Sequence, residues 1–336
     1  MDIVKLIPSK VPELYLETEH ISPDVFAGKT AQQIGELHVH MGNQTYKLSD
    51  YFTIEGKGGA TAADTKIVIA GDVSKVKYIG MKMTAGEVEV LGNADMYVGA
   101  WMAGGKLLVK GSVDSFAGIA MTGGELVIEG NAKNYIGAAY RGDWRGMQGG
   151  KLVVKGNVGS DVGSNINGGT IEIGGNADVH LATHAEGGKI IVGGVAKGRV
   201  GGQMVKGEIY VLGGVERMMP SYKYDHDEEV ELNGKKMNFQ VYYGDLGERH
   251  GKRKGEIVYG KIFIATGAAE AESEGKTEAR AERRAKLNEK QVAQMAEAFK
   301  TNAEPSVQEV RTYIYDTFGF DLKPMQVSRL IDSMKR

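Results

Sequence analysis

The sequence predicts an all-β fold, a parallel β-helix with turns of about 19 residues across positions 71–213. Three observations carry that expectation. Glycine closes a series of short apolar stretches at Gly71, Gly92, Gly111, Gly130, Gly156, Gly175, Gly194 and Gly213, with gaps of 21, 19, 19, 26, 19, 19 and 19 residues. Before each of these glycines from Gly92 onward, two apolar residues alternate with other positions: Val88/Val90, Leu107/Val109, Leu126/Ile128, Leu152/Val154, Ile171/Ile173, Ile190/Val192 and Ile209/Val211. Period two marks strands rather than helices. Finally, glycine supplies 49 of 336 residues but proline only 6. That balance suits many sharp corners between short strands, not collagen or low-complexity disorder.

A five-residue strand with one apolar face cannot bury that face alone. Stacking equivalent strands about 4.8 Å apart pairs the backbone groups and aligns the apolar positions into one dry core. An eight-stranded α/β barrel or a doubly wound sheet needs a helix between strands, and the repeat has no room for one. Each unit reads G-x-x-M-x-x-G-x-[LIV]-x-[VI]-x-G with substitutions, in copies starting at Gly80, Gly99, Gly118, Trp144, Gly163, Ala182 and Gly201. Methionine fills the fourth position at Met83, Met102, Met121, Met147 and Met204; Ile166 and Ala185 replace it elsewhere.

Two further columns emerge from the alignment. Ile79, Val98, Ala117, Ile136, Val162, Leu181 and Val200 read as core. The residues just before them are Tyr78, Tyr97, Phe116, Tyr135, Asp161, His180 and Arg199, placed outward by strand alternation. The four aromatics fit either a stabilising ladder or an apolar strip that a partner covers.

The 26-residue gap holds one surplus segment, Tyr140-Arg141-Gly142-Asp143-Trp144-Arg145-Gly146. A loop inserted into a solenoid projects from one face and often binds something. Tyr140, Arg141, Asp143, Trp144 and Arg145 are therefore candidate partner contacts, since Arg and Trp are enriched at interface hot spots. The other reading is a lid braced by its own Arg–Asp pairs. Catalysis is disfavoured, because the loop has no histidine and no paired carboxylates, and its aspartate lies between arginines that favour the ionised form.

The formal net charge of −2 gives no electrostatic reason to expect nucleic acid or an anionic membrane. No cysteine is present, so this chain can supply no disulfide and no thiolate ligand for zinc or an iron–sulfur cluster. The amino terminus lacks a basic stretch followed by an apolar run, and the expected location is the cytoplasm. His180 and His184 have a spacing that would pair two metal ligands on a helix, but they fall in a strand-and-corner repeat. His38 and His40 share a strand face without an evident third ligand. No catalytic, cofactor-binding or metal residue is assigned.

Residues 1–70 are expected to cap and open the coil, with alternating stretches around Ile34–Val39 and Ile67–Ile69. Residues 71–213 are the repeats. Residues 214–267 should close the other end through a hairpin, Glu229–Leu232 and Met237–Tyr242 around Asn233-Gly234, followed by a strand at Ile257–Ile264. Residues 268–336 begin with an Ala/Glu/Lys/Arg-rich linker. Three short amphipathic helices follow, opened by Asn288 with Gln291, by Pro305 and by Pro324, as a small bundle or docking elements.

The glycine–methionine repeat, together with Tyr-Arg-Gly-Asp-Trp-Arg-Gly-Met at 140–147, resembles the C subunit of formylmethanofuran dehydrogenase over roughly residues 3–265. The repeat is shared more loosely with the carboxy-terminal domain of glutamate synthase. The C subunit of the bacterial formyltransferase/hydrolase complex is similar too. The resemblance implies a right-handed β-helix acting as a non-catalytic scaffold in a complex that reduces carbon dioxide to formate and condenses it with methanofuran, the first step of methanogenesis from carbon dioxide. It implies two partners, one that binds the pterin and one that is amidohydrolase-like. The tungsten or molybdenum pterin, the iron–sulfur clusters and a dinuclear metal centre would lie on other subunits, with no cofactor on this one. The competing expectations are the bacterial complex and a free-standing β-helix enzyme such as a polysaccharide lyase, for which only Asp161, His180 and Arg199 stand in file.

Overall fold

The computed structural model describes residues 1–244 and 260–266, together with 298, 299, 306, 309, 310, 313, 314, 327 and 331. The chain divides into two compact units, Met1–Ala269 and Glu270–Arg336.

The first unit is built mostly of strands. Among the described residues its main sheet has 13 strands. From Asp2–Pro8 through Thr65–Ile69, Glu87–Val90, Lys106–Val109, Glu125–Ile128, Gln148–Val154, Gly168–Ile173, Glu186–Val192 and Lys206–Val211 to Gly260–Ala265, neighbours pair in parallel. The pairing shifts at Gln148/Lys151 and at Glu186/Lys189, but the apolar positions beyond stay in register, so Leu107 lies beside Leu126, then Leu152, Ile171, Ile190, Ile209 and Ile262. Every residue of that column is buried. A one-residue slip in any strand would turn its apolar face out, which is why the pattern specifies the stack.

Successive repeats also bond away from these strands. A second column of small residues, Val113, Ala132, Val158, Ala177, Ala196 and Val215, is joined by single parallel bridges. Beside it, side chains link turn to turn: Asn93 Oδ1 accepts from Ser112 N, Ser112 Oγ from Asn131 N, Asn131 Oδ1 from Asn157 N, Asn157 Oδ1 from Asn176 N, and Asn176 Oδ1 from Val195 N, at 2.8–3.0 Å. Valine at 195 has no acceptor, and the ladder stops there. The methionine column is fully buried, with Met83, Met102, Met121 and Met147 each 0% exposed.

Both ends of the main sheet are antiparallel. Phe52–Gly56 pairs against Asp2–Pro8 at one edge. At the other, Tyr222–Leu232 and Lys235–Gly244 form a hairpin whose second strand pairs with Gly260–Ala265. Asn233 and Gly234 both have positive φ, 51° and 76°, as the tight hairpin turn requires. The hairpin is longer than its expected strands, and the final strand begins at Gly260, since 257–259 lie outside the described residues. In the opening segment, Thr65–Ile69 is a strand as its alternation suggests. The stretch around Ile34 is not: Ala31–Gly35 is a short helix held by a Thr30–Gln33 capping box, and only His38–Met41 continues as strand. The Asn–Gln box expected at 288 and the 268–288 linker lie outside the described residues. In the second unit, Ser306 and Glu309 form a reciprocal cap, and Val310, Ile314, Val327 and Ile331 are buried.

Candidate functional site

The site is a face of the stack where aromatic rings run in file beneath the inserted loop. Its backbone is left-handed. Tyr78, Tyr97, Phe116, Tyr135, Asp161, His180 and Arg199 have φ between 52° and 67°, so they are corner residues and not the alternating strand positions expected. Two residues on, Gly80, Gly99, Gly118, Gly137, Gly163, Ala182 and Gly201 are left-handed as well. Six of the seven are glycine, where an added side chain would press on the apolar column: a Cβ on Gly118 would sit 2.3 Å from Leu152 Cδ1, and only at Ala182 does the column carry one. The fourth copy of the repeat therefore starts at Gly137 and not at Trp144, because Gly137 N donates to Ala117 O as its equivalents do in neighbouring turns.

A non-glycine residue in this conformation costs roughly 1–2 kcal/mol. Two compensations are visible. From Tyr78 to His180 the amide of each corner residue donates to the next turn, as Tyr97 N does to Ser115 O and Phe116 N to Asn134 O. The rings also stack: Tyr78 on Tyr97, Tyr97 on Phe116 and Phe116 on Tyr135, with centroids 4.7, 4.9 and 5.0 Å apart and planes within 12°. Such pairs contribute about 0.5–1.5 kcal/mol each beyond their buried area. Burial pushes the Tyr78 hydroxyl up to about 12 and raises that of Tyr97. Both stay neutral, and the ladder presents apolar faces.

The surplus segment leaves the stack after Ala139, whose N donates to Ser164 O, and returns at Gly146, whose N donates to Asn165 O. It takes the place of a third left-handed column seen in other turns as Lys82, Trp101, Ala120, Asn165, His184 and Gln203. Tyr140 leans back on the stack, 5.2 Å from the Trp101 ring and 6.5 Å from Tyr97. A turn closes from Asp143 N to Tyr140 O, with Gly142 at φ 84°. The tip braces itself. Asp143 Oδ1 accepts from Arg145 Nε at 3.2 Å and from its backbone N at 3.1 Å, which holds the Asp143 carboxyl below its usual range. The Arg145 guanidinium lies 5.5 Å over the Trp144 ring, a cation–π arrangement. Trp144 remains 55% exposed, and Arg141 is exposed too.

The structure thus brings Tyr78, Tyr97, Phe116, Tyr135 and Tyr140 onto one surface and sets Asp143, Trp144 and Arg145 on a tip beyond it. Trp101 belongs to the site although the repeat alignment gives it no distinction; its being one of two tryptophans is the only signal. His180 and His184 sit two left-handed columns apart. Among the described residues no three histidine, aspartate or glutamate side chains converge as metal ligands.

No family model matches the chain. The C subunit of the tungsten-containing formylmethanofuran dehydrogenase 2 of Methanococcus maripaludis is 56% identical over 225 residues, 67% of this chain and 76% of that protein. The chain belongs to the family of formylmethanofuran dehydrogenase C subunits. The C subunit of the molybdenum-containing enzyme 1 of Methanosarcina barkeri is 48% identical over 93 residues, 28% of this chain and 31% of its own length. That of the tungsten-containing enzyme 2 of Methanothermobacter thermautotrophicus is 46% identical over 96 residues, 29% and 36% of the two lengths. The chain thus spans about a third of the length of these two relatives.

A chain from the crystal structure of the formyltransferase/hydrolase complex of Methylorubrum extorquens, solved in complex with methylofuran, superposes with a TM-score of 0.68 at 23% identity. The superposition covers 78% of this chain and 99% of that one, a likeness of fold. No helix among the described residues is long and apolar enough to cross a membrane.

Proposed function

We propose that the chain is the non-catalytic structural subunit of a formylmethanofuran dehydrogenase complex, the enzyme that reduces carbon dioxide to formate and condenses it with methanofuran. The observation that carries this reading is the 56% identity extending over 76% of the Methanococcus maripaludis protein. We further infer a right-handed parallel β-helix, supported by the parallel strand ladder, the second bridged column and the left-handed corners repeating together. Residues 1–70 open it, 71–213 form its repeats, 214–267 close it, and 268–336 serve as a docking extension.

In this reading the partners are the pterin-binding and amidohydrolase-like subunits, contacted through Tyr78, Tyr97, Phe116, Tyr135 and the loop residues Tyr140, Arg141, Asp143, Trp144 and Arg145. An exposed tryptophan beside an arginine on a braced loop, next to a flat aromatic strip, has the composition of an interface hot spot with an apolar surround. The donor set of this chain does not suit a tungsten or molybdenum pterin, an iron–sulfur cluster or a dinuclear centre: it has no cysteine, and among the described residues no three histidine, aspartate or glutamate side chains are placed to hold a metal ion. Those centres are assigned to other subunits, and the complex acts in the cytoplasm.

A second reading, the C subunit of a formyltransferase/hydrolase complex, is favoured by the superposition over 99% of the Methylorubrum extorquens chain. Affinity purification of the tagged chain from its native host decides between them. Co-purifying pterin-binding chains with stoichiometric molybdenum or tungsten are expected. Formyltransferase and hydrolase chains without either metal would establish the second reading, and an active free chain would overturn both.

A further inference from the structure

The file of corner residues changes chemistry halfway. Tyr78 to Tyr135 are aromatic, while Asp161, His180 and Arg199 continue the same column as polar groups. At the polar end of the file, a cleft of about 820 Å3 opens, lined by His180, Arg199, Arg217 and the Met218-Met219-Pro220 segment. It lies apart from the aromatic ladder and inserted loop proposed as partner contacts.

The polar wall is organised from behind. Arg199 Nη1 donates to His180 Nε2 at 3.1 Å, so that ring nitrogen accepts and the imidazole proton sits on Nδ1, facing Asp161 Oδ1 at 3.6 Å. One edge of the Arg199 guanidinium is thereby fixed, while its other donors have no side-chain partner among the described residues. Neither Arg199 nor Arg217 has a carboxylate partner among the described residues. The neighbouring Asp178 is already held by Lys197 at 3.0 Å. Among the described residues no carboxylate lines the cleft. Apolar, adaptable side chains share the lining: Val179 contributes, with Met218 and Met219, which pack partly against the core. Two guanidinium groups without a carboxylate partner among the described residues, beside apolar side chains, suit an anion carried on an apolar body: the forks match carboxylate or phosphate oxygens, and the thioethers cover the rest.

We propose that this cleft is a binding site for an organic anion, a carboxylate or phosphate group on an apolar body. Arg199 and Arg217 hold the anionic group, and Val179, Met218 and Met219 cover the apolar part.

Isothermal titration of the full chain with phenyl phosphate, benzoate and inorganic phosphate tests it. Both organic anions should bind, and inorganic phosphate should bind about tenfold more weakly than phenyl phosphate. Arg199→Ala and Arg217→Ala should each weaken the organic anions by about tenfold or more, the scale of a charge-assisted pair. Lys197→Ala, which removes a cation already paired with Asp178, should leave binding unchanged. Thermal unfolding of each variant, with Arg217→Gln as a milder replacement, separates lost binding from lost folding. No binding to the wild-type chain, or equal binding by the folded arginine variants, would overturn the site. Inorganic phosphate binding as tightly as phenyl phosphate would overturn the role of the apolar side chains. Repeating the titration on the assembled complex identifies the source. Retained binding assigns a free small molecule, whereas binding lost on assembly assigns a carboxylate side chain of a partner.

Discussion

The Tyr140 ring lies 5.2 Å from that of Trp101, so the inserted loop rests on turns that precede it in sequence. This contact divides the loop in two. Tyr140 belongs energetically to the stack, whereas Trp144 and Arg145 brace one another at the tip and leave most of the indole in solvent.

Different phenotypes are predicted for the two halves. Trp144→Ala and Arg145→Ala should each weaken assembly with the partner subunits by about 1–3 kcal/mol, in the hot-spot range, with little change in the melting temperature of the free chain. Tyr140→Ala should also lower stability, by about 0.5–1.5 kcal/mol, because it removes ring contacts within the chain. Affinity for the partners measured alongside thermal unfolding checks both. A tip variant that melts early yet assembles normally would make the whole loop a lid over its own coil.

Met121→Asp is predicted to destabilise the fold by several kcal/mol, on the scale of leaving a charge unpaired in a packed interior, ~3–5 kcal/mol. Met121 is 0% exposed in a column that also buries Met102 and Met147. Chemical denaturation of the purified variant provides the measurement. A midpoint close to wild type would mean that the column reaches water.

Much of this architecture is legible in the sequence because a stack repeats its physics at a fixed interval. The paired apolar positions, the methionine column and the Tyr140–Gly146 surplus all fall where spacing alone places them. The corner geometry is not legible. Aromatic residues are rarely left-handed, so Tyr78 and Tyr97 read naturally as strand residues; their φ values follow from hydrogen bonds to the next turn, which one repeat cannot reveal. The same reasoning puts the start of the fourth copy at Trp144, since a fixed 13-residue frame cannot show where a loop leaves and rejoins. Trp101 stays hidden because its partner Tyr140 enters from an insertion outside the period. The asparagine ladder does leave a signal, Gly-Asn before a small apolar residue at Asn93, Asn131, Asn157 and Asn176, but its meaning needs the three-dimensional spacing of the turns.

That ladder yields a third prediction. Asn131 Oδ1 accepts from Asn157 N at 2.8 Å across the turn lengthened by the insertion. Asn131→Ala should cost about 0.5–1.5 kcal/mol, the net worth of one hydrogen bond at an exposed position. Asn131→Asp keeps an acceptor oxygen and should cost less. Comparing the two denaturation midpoints tests whether the acceptor oxygen or the side-chain packing matters, and equal losses would point to packing.

Asp95 offers a prediction about pH. It is 1% exposed; Oδ1 accepts from Met96 N at 2.7 Å, while Oδ2 has no partner among the described residues. Burial raises its pKa, against the opposing effect of the Met96 amide, and the nearby Asp114 carboxylate adds to the rise. A carboxyl whose folded pKa exceeds its unfolded value binds its proton more tightly in the native state. Its contribution to stability is therefore greatest below the unfolded pKa, about 4, and declines as pH rises through the folded pKa. At neutral pH the chain carries the full cost of an ionised oxygen without a partner, about 1–3 kcal/mol. Asp95→Asn keeps the acceptor for Met96 and removes the charge. It should raise the melting temperature at pH 7, and the advantage should shrink as pH falls through the raised folded pKa, where the native aspartate takes up its proton. Thermal unfolding of both proteins across that range is the measurement. A difference that stays constant with pH, or a variant less stable at pH 7, would show that the buried oxygen has a partner after all.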